Sequence, residues 1–310
     1  MSTTSHPEAK RKRTDEPETA ADSPLFKVYK GLLAANSTVF ADMFLVPQPP
    51  PSKGELIEGC TVIRLSDSAV DVTYVLEALC KRRHATAHEP VSIAIVAAFV
   101  RLGQKYQIDA VLSEALGRLY YEFPDDLDDV DEADNWTKIS ESAGIFIDVA
   151  NLAREQNLLS ALPLALRYCS LEDSDDIVKG VAREDHTVAT LSPINERVVL
   201  AAKDPLLRLQ STTTFSWLIA NGSDDFAMPA CCNTERMQLV VSKFFPLPEY
   251  DGLKSWEEGW EDSICAACVV KAKALHASGR QRYWNKLPSI FGLPDWEELE
   301  KERVLSAIIV

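Results

Sequence analysis

Glycine is scarce in this chain: 12 of 310 residues, where average usage of about 7% would supply roughly twenty. That shortage argues against glycine-rich loops that cradle phosphates, and no Walker loop, dinucleotide fingerprint or Gly-x-Ser-x-Gly elbow occurs. Long apolar runs are missing too. The longest candidate, Val91 to Val100, falls well short of the ~18 residues expected of a membrane-spanning helix. Residues 1 to 24 have no apolar core, so no secretory signal is expected there. Positive charge is in deficit, with 32 Lys and Arg against 47 Asp and Glu and a formal charge of −15. Such a body repels a phosphate backbone and disfavours direct contact with nucleic acid. The seven cysteines are odd in number and do not make a disulfide framework. An intracellular chain with reduced thiols, in nucleus or cytoplasm and away from membranes, is the simplest expectation.

What is present has the makings of an ordinary core, since 46% of the residues are hydrophobic. Residues 1–24 are polar and charged and read as a disordered tail. Within it, Lys10, Arg11, Lys12 and Arg13 form a basic cluster, either a nuclear import signal or a solvated charge run. Phe26 and Val28 alternate as a strand. Leu32, Leu33 and Asn36 then follow helical spacing, and Ser37 is placed to cap a second helix burying Val39, Phe40, Met43 and Phe44. A proline-rich loop at 47–58 leads to a strand over 61–65. Ser68 to Asp71 opens a helix carrying Val72, Val75, Leu76 and Leu79. His84 and His88 read as loop residues, because no Glu follows His84 to make a zinc-peptidase signature. The segment from Val91 to about Gln104 is apolar almost all round, as expected of a central helix. Asp109 is placed to cap the next one.

The run from Phe26 to Phe44 resembles the opening of a BTB (POZ) domain, F-x-V-H-x-x-x-L-A-x-x-S-x-x-F-x-x-M-F. Phe26, Val28, Leu33, Ala34, Ser37, Phe40, Met43 and Phe44 occupy the matching positions, with Tyr29 where the family usually carries His. Residues 102–112, Leu-Gly-Gln-Lys-Tyr-Gln-Ile-Asp-Ala-Val-Leu, resemble the second signature, where a helix ends and restarts around an Ile-Asp pair. Glu58-Gly59-Cys60 and Leu65-Ser66-Asp67-Ser68 are similar to a large, basidiomycete-type group of fungal BTB proteins, and the similarity covers nearly the whole chain. The family places a further strand and turn ahead of Phe26, where this chain has only its polar tail. The resemblance implies an α+β, mostly helical protein: a BTB domain at 25–123 lacking its first strand, an acidic linker at 124–144 and a helical domain at 145–310. It implies protein–protein association in place of catalysis, with other proteins, itself as a weak homodimer, or a cullin scaffold as partners. Leu32, Leu33, Asn36, Met43 and Phe44 would lie near the pairing surface.

The linker expectation rests on seven acidic residues between Pro124 and Asn135, a solvated charge run. Helical spacing resumes at Ile145, residues 171–260 read as less regular, and 264–287 as the last long helix. The stretch 287–296 is expected to fold its aromatic residues back over it.

Cys265 and Cys268 are the one cysteine pair at metal-ligand spacing, and Cys231 and Cys232 lie upstream. A structural zinc wants four thiolate or imidazole ligands in a tetrahedron. Adjacent cysteines are expected to diverge, so Cys231 and Cys232 would not readily complete the set. His276 is eight residues past Cys268, ~12 Å along one helix, too far to share an ion. The bland reading is four buried, reduced thiols and no cofactor. A zinc-supported nuclear transcriptional regulator is the rival function. A hydrolase has only scattered Ser, His and Asp in its favour. No small-molecule substrate is expected.

Overall fold

The computed structural model describes residues 24–47, 56–84, 89–132, 136–219 and 228–308. The basic cluster Lys10 to Arg13 and His88 lie outside them, as does most of the proline-rich loop. The protein is mostly helical, and among the described residues its strands make two small antiparallel hairpins.

The first helices are α1 (Lys30–Asn36) and α2 (Thr38–Leu45). Ser37 separates them, and its hydroxyl accepts the N–H of Phe40 at 3.0 Å, the capping bond expected of serine there. That hydroxyl also donates to the Tyr106 carbonyl at 2.5 Å. Phe40 stacks on Tyr106 with ring centroids 4.7 Å apart, so α2 is docked on the end of a later helix. The strand expected at Phe26–Val28 is irregular instead, and among the described residues it has no strand partner. The strand expected over 61–65 shrinks to a hairpin of β1 (Leu56–Ile57) and β2 (Cys60–Thr61). Two-residue strands bury no face: Leu56 and Ile57 stay exposed.

α3 (Ala69–Lys81), α4 (Ile93–Tyr106) and α5 (Asp109–Glu122) pack in sequence. The central position of α4 explains its lack of a polar face, with Val96 and Val100 wholly buried. Its close approach to α5 needs Gly103, where a β-carbon would meet Leu112 Cβ at 2.9 Å. Gln107 takes a left-handed conformation at φ 50° and Ile108 buries, so the chain restarts as a helix at Asp109. Asp109 is thus the first helical residue of α5, and Ile108 holds the cap position. Val91 is also placed differently from expectation. It stands outside α4, donating to the Lys138 carbonyl at 3.2 Å and accepting from Ser140 N–H at 2.8 Å, a parallel bridge to Ile139.

The charges at Asp126, Asp128, Asp129, Asp131 and Glu132 are exposed as expected of a solvated run, but that bridge packs the later part of 124–144 against the start of α4. The segment holds α6 (Leu127–Glu132), Leu127 is buried and Ile139 is wholly so. The Glu122 carboxylate accepts backbone N–H groups from Trp136 (2.8 Å), Lys138 (2.7 Å) and Ile139 (3.1 Å). Arg118, itself buried, donates to the Glu89 and Lys138 carbonyls, each at 2.8 Å. One α5 carboxylate and one α5 guanidinium therefore satisfy the polar backbone that a charge-rich stretch brings into the interior.

Beyond it come α7 (Ile145–Glu155), α8 (Leu162–Cys169), α9 (Ser174–Lys179) and the hairpin of β3 (Val181–Ala182) with β4 (Val188–Ala189). α10 (Pro193–Thr212) runs 20 residues through a region expected to be less regular. Its start is signalled by Ser192, whose hydroxyl accepts Asn195 N–H at 3.4 Å, and by Pro193 in the first turn. α11 (Ser216–Ile219), α12 (Asn233–Phe244), α13 (Ala266–Ile290) and α14 (Trp296–Ile308) complete the chain. As expected, the aromatic stretch folds back. Trp296 stacks on Trp284 with centroids 4.5 Å apart and donates its indole N–H to the Trp284 carbonyl at 2.8 Å. α14 was not expected, although Asp295 three residues ahead of Glu298 is a helix-start signal; its Glu302 accepts from the Tyr120 hydroxyl at 2.8 Å and Arg303 donates to the Phe123 carbonyl at 2.6 Å. One apolar core runs from Val75 in α3 to Leu299 in α14, across the boundary expected at 124–144. A second, smaller core surrounds α11, α12 and the start of α13.

Candidate metal centre and exposed apolar face

The four cysteines singled out by spacing meet at the edge of the smaller core. Cys231 and Cys232 sit on a short 3-10 turn, Ala230–Cys232, that leads into α12. Cys265 is the N-cap of α13 and Cys268 lies in its first turn. Their sulfur atoms all lie within 4.8 Å of one another. Cys231 Sγ is 3.5 Å from Cys268 Sγ, 3.7 Å from Cys265 Sγ and 3.9 Å from Cys232 Sγ. The expected divergence of the adjacent pair does not occur. In a 3-10 turn, successive side chains are rotated by about 120°, against the ~180° alternation of a strand, which leaves both thiols able to turn inward.

The electrostatics of the set are uneven. The backbone N–H of Cys268 and the neighbouring Cys232 and Cys231 thiols pull Cys265 down to about 7, while burial pushes Cys268 far up. The N–H of Cys265 donates to Cys232 Sγ at 3.2 Å. Two helices, α12 and α13, begin at the cluster and present the positive ends of their dipoles to it. Soft sulfur donors at this spread have the composition and size that a thiophilic metal ion requires.

Behind the cysteines, Trp217, Trp256 and Trp260 gather around His276. His276 takes no part in the sulfur cluster. Its Nδ1 accepts the Trp217 indole N–H at 3.3 Å and its Nε2 faces the Lys254 carbonyl at 2.9 Å, so the proton sits on Nε2. Burial holds its pKa below the ordinary histidine value. Arg236, 1% exposed, donates to the Trp217 carbonyl at 3.0 Å and to Asn233. None of this aromatic cage was foreseen, because its members come from separate stretches with no shared period.

The residues expected near a pairing surface are only partly open. Leu32, Leu33, Asn36, Met43 and Phe44 are all half-buried. Asn36 donates back to the Leu32 carbonyl at 2.8 Å, and the two line a depression of about 350 Å³ with Leu79, Phe99 and Val111. Several of their neighbours along the chain are far more open: Leu45 is 81% exposed, Tyr29 80% and Leu25 68%. A second depression, about 430 Å³, is polar and lined in part by Asp67, Asp71, Arg101 and Lys105. Its charges pair with one another: Arg101 with Asp71 at 2.9 Å and Lys105 with Asp67 at 2.6 Å, while the Tyr106 hydroxyl donates to Asp67 at 2.5 Å. Compared with known proteins, the chain matches no family model, no curated sequence and no solved structure. Among the described residues, no helix is long and apolar enough to cross a membrane.

Proposed function

We propose that this chain is a protein–protein interaction module of BTB type, which works by apolar association and carries out no chemistry of its own. The observation that carries this reading is the concentration of exposed apolar side chains near the start of the fold. Ten of the 22 exposed large hydrophobic side chains among the described residues fall between Leu25 and Val70. Scattered apolar side chains are normal on a surface, but so dense a run of them along one stretch of chain supports docking of another polypeptide there. The resemblance of residues 26–44 and 102–112 to the two BTB signatures supports the same reading. A homodimer or a cullin-type scaffold are the partners that resemblance implies. The short β1–β2 hairpin limits what strand pairing can add, so self-association should be weak.

The test compares the wild-type chain with a Tyr29→Asp/Leu45→Asp variant of unchanged circular dichroism. Sedimentation over a concentration series should show reversible self-association for the wild type alone, and proximity labelling in the source cells should recover proteins that the variant fails to recover. Identical sedimentation together with identical labelled sets would refute the reading.

A further inference from the structure

We propose that Cys231, Cys232, Cys265 and Cys268 bind one Zn²⁺ ion in a closed tetrathiolate centre that fastens the start of α12 to the start of α13. The site is independent of the association surface, and either reading can fail without the other.

Geometry carries the assignment. A tetrahedral ion with Zn–S bonds of about 2.3 Å places its sulfur ligands about 3.8 Å apart, and the three sulfur separations from Cys231 are 3.5, 3.7 and 3.9 Å. A disulfide would need about 2.05 Å, and all seven cysteines are free. Packing alone does not account for the cluster, since Cys231 and Cys265 are exposed and gain nothing apolar by facing other sulfurs. The Cys265 N–H directed at Cys232 Sγ, 3.2 Å away, is the kind of outer hydrogen bond that orients a thiolate ligand. Binding exchanges four S–H protons for one Zn²⁺, leaving a centre of charge −2 with no change of oxidation state. The N-terminal ends of α12 and α13 partly offset that charge. With four protein ligands no coordination position remains for water or substrate, which makes the centre structural. Its role follows from where it sits. The smaller core around Phe215, Trp217 and Trp260 holds few side chains, and a core of that size is stabilised by a cross-link.

The full chain, expressed with zinc in the medium and purified without chelator, should contain about one zinc per molecule by elemental analysis. Cys265→Ser and Cys231→Ser should lose most of it, while Cys60→Ser and Cys80→Ser keep it. Should the serine variants fail to fold, the wild type still decides. In the absence of an ion, the exposed Cys231 and Cys265 thiols should be open to alkylation, as the exposed Cys60 and Cys80 are. With the ion bound they should be protected, and a chelator should release that protection together with the zinc. Cobalt substitution should give thiolate charge-transfer bands and tetrahedral d–d bands. Protein that stays metal-free after supplementation, that carries iron instead, or whose Cys231 and Cys265 alkylate freely without chelator, would overturn the proposal.

Discussion

Replacing Glu122 tests most directly whether the acidic stretch belongs to the core. Its carboxylate, 6% exposed, is the shared acceptor for three backbone N–H groups of 136–139. Each hydrogen bond to a charged group contributes about 1.5–3 kcal/mol. The three do not simply add, because they share one carboxylate and Trp136 and Lys138 are only half-buried. Glu122→Ala should therefore cost about 3–4 kcal/mol. With an unfolding entropy of about 2 cal/mol/K per residue, a chain of 310 residues loses roughly 5–6 °C in Tm for that change. Glu122→Gln should cost about half as much. Its amide oxygen can replace Oε1, which takes both Lys138 and Ile139, but its NH₂ group would meet the Trp136 donor. Thermal unfolding followed by near-ultraviolet circular dichroism gives the first readout, and hydrogen exchange of the 136–140 amides gives the second. A Glu122→Ala protein within ~1 °C of wild type, with unchanged exchange at those amides, would show that the stretch is a solvated connector after all.

Two further outcomes concern buried aromatic and histidine side chains. Trp296→Ala should cost about 3–5 kcal/mol in urea unfolding, whereas Trp296→Phe keeps the ring against Trp284, loses the 2.8 Å indole bond and should cost about 1–2 kcal/mol; equal losses would remove the stack from the explanation. His276 is held neutral by burial, with Arg280 opposing its protonation and Lys254 O and Glu257 favouring it. A folded pKa below the unfolded value of about 6.5 means the stabilisation is complete above that pH and is lost as pH falls through it toward the folded pKa. His276→Gln should flatten the pH dependence of stability between about pH 7 and 5, and an unaltered slope would assign it to other groups.

Much of the helical frame was legible because its signals are local. The all-round apolar run of α4, the Ser37 cap and the restart at Ile108–Asp109 each follow from residues within a few positions of one another. The acidic stretch was only half legible. Asp126, Asp128, Asp129, Asp131 and Glu132 do face solvent as charge runs should, but Leu127 and Ile139 are buried among them and after them, and the hydrogen bonds of 136–139 to Glu122 and Arg118 follow no local pattern. α10 had its cap and proline in plain view, yet the mixed surface of that helix diluted its periodicity. The cysteine site was half legible. C-x-x-C spacing marked Cys265 and Cys268, while joining Cys231 and Cys232 to them depends on a turn that no apolar pattern encodes. Likewise, the open side chains Tyr29 and Leu45 stand close in the chain to the five residues the motif singled out, which are themselves half-buried because they serve packing.

The hold of α14 on α5 bears on how the chain can be assembled. Arg303 reaches back to the Tyr120 carbonyl across 183 positions, and Glu302 to the Ser160 hydroxyl across 142. Nascent α5 emerges from the ribosome long before its cover exists, leaving greasy surface open to sticking during synthesis. A fragment cut at residue 123 would keep that vulnerability permanently, and should aggregate where the uncut chain stays dispersed.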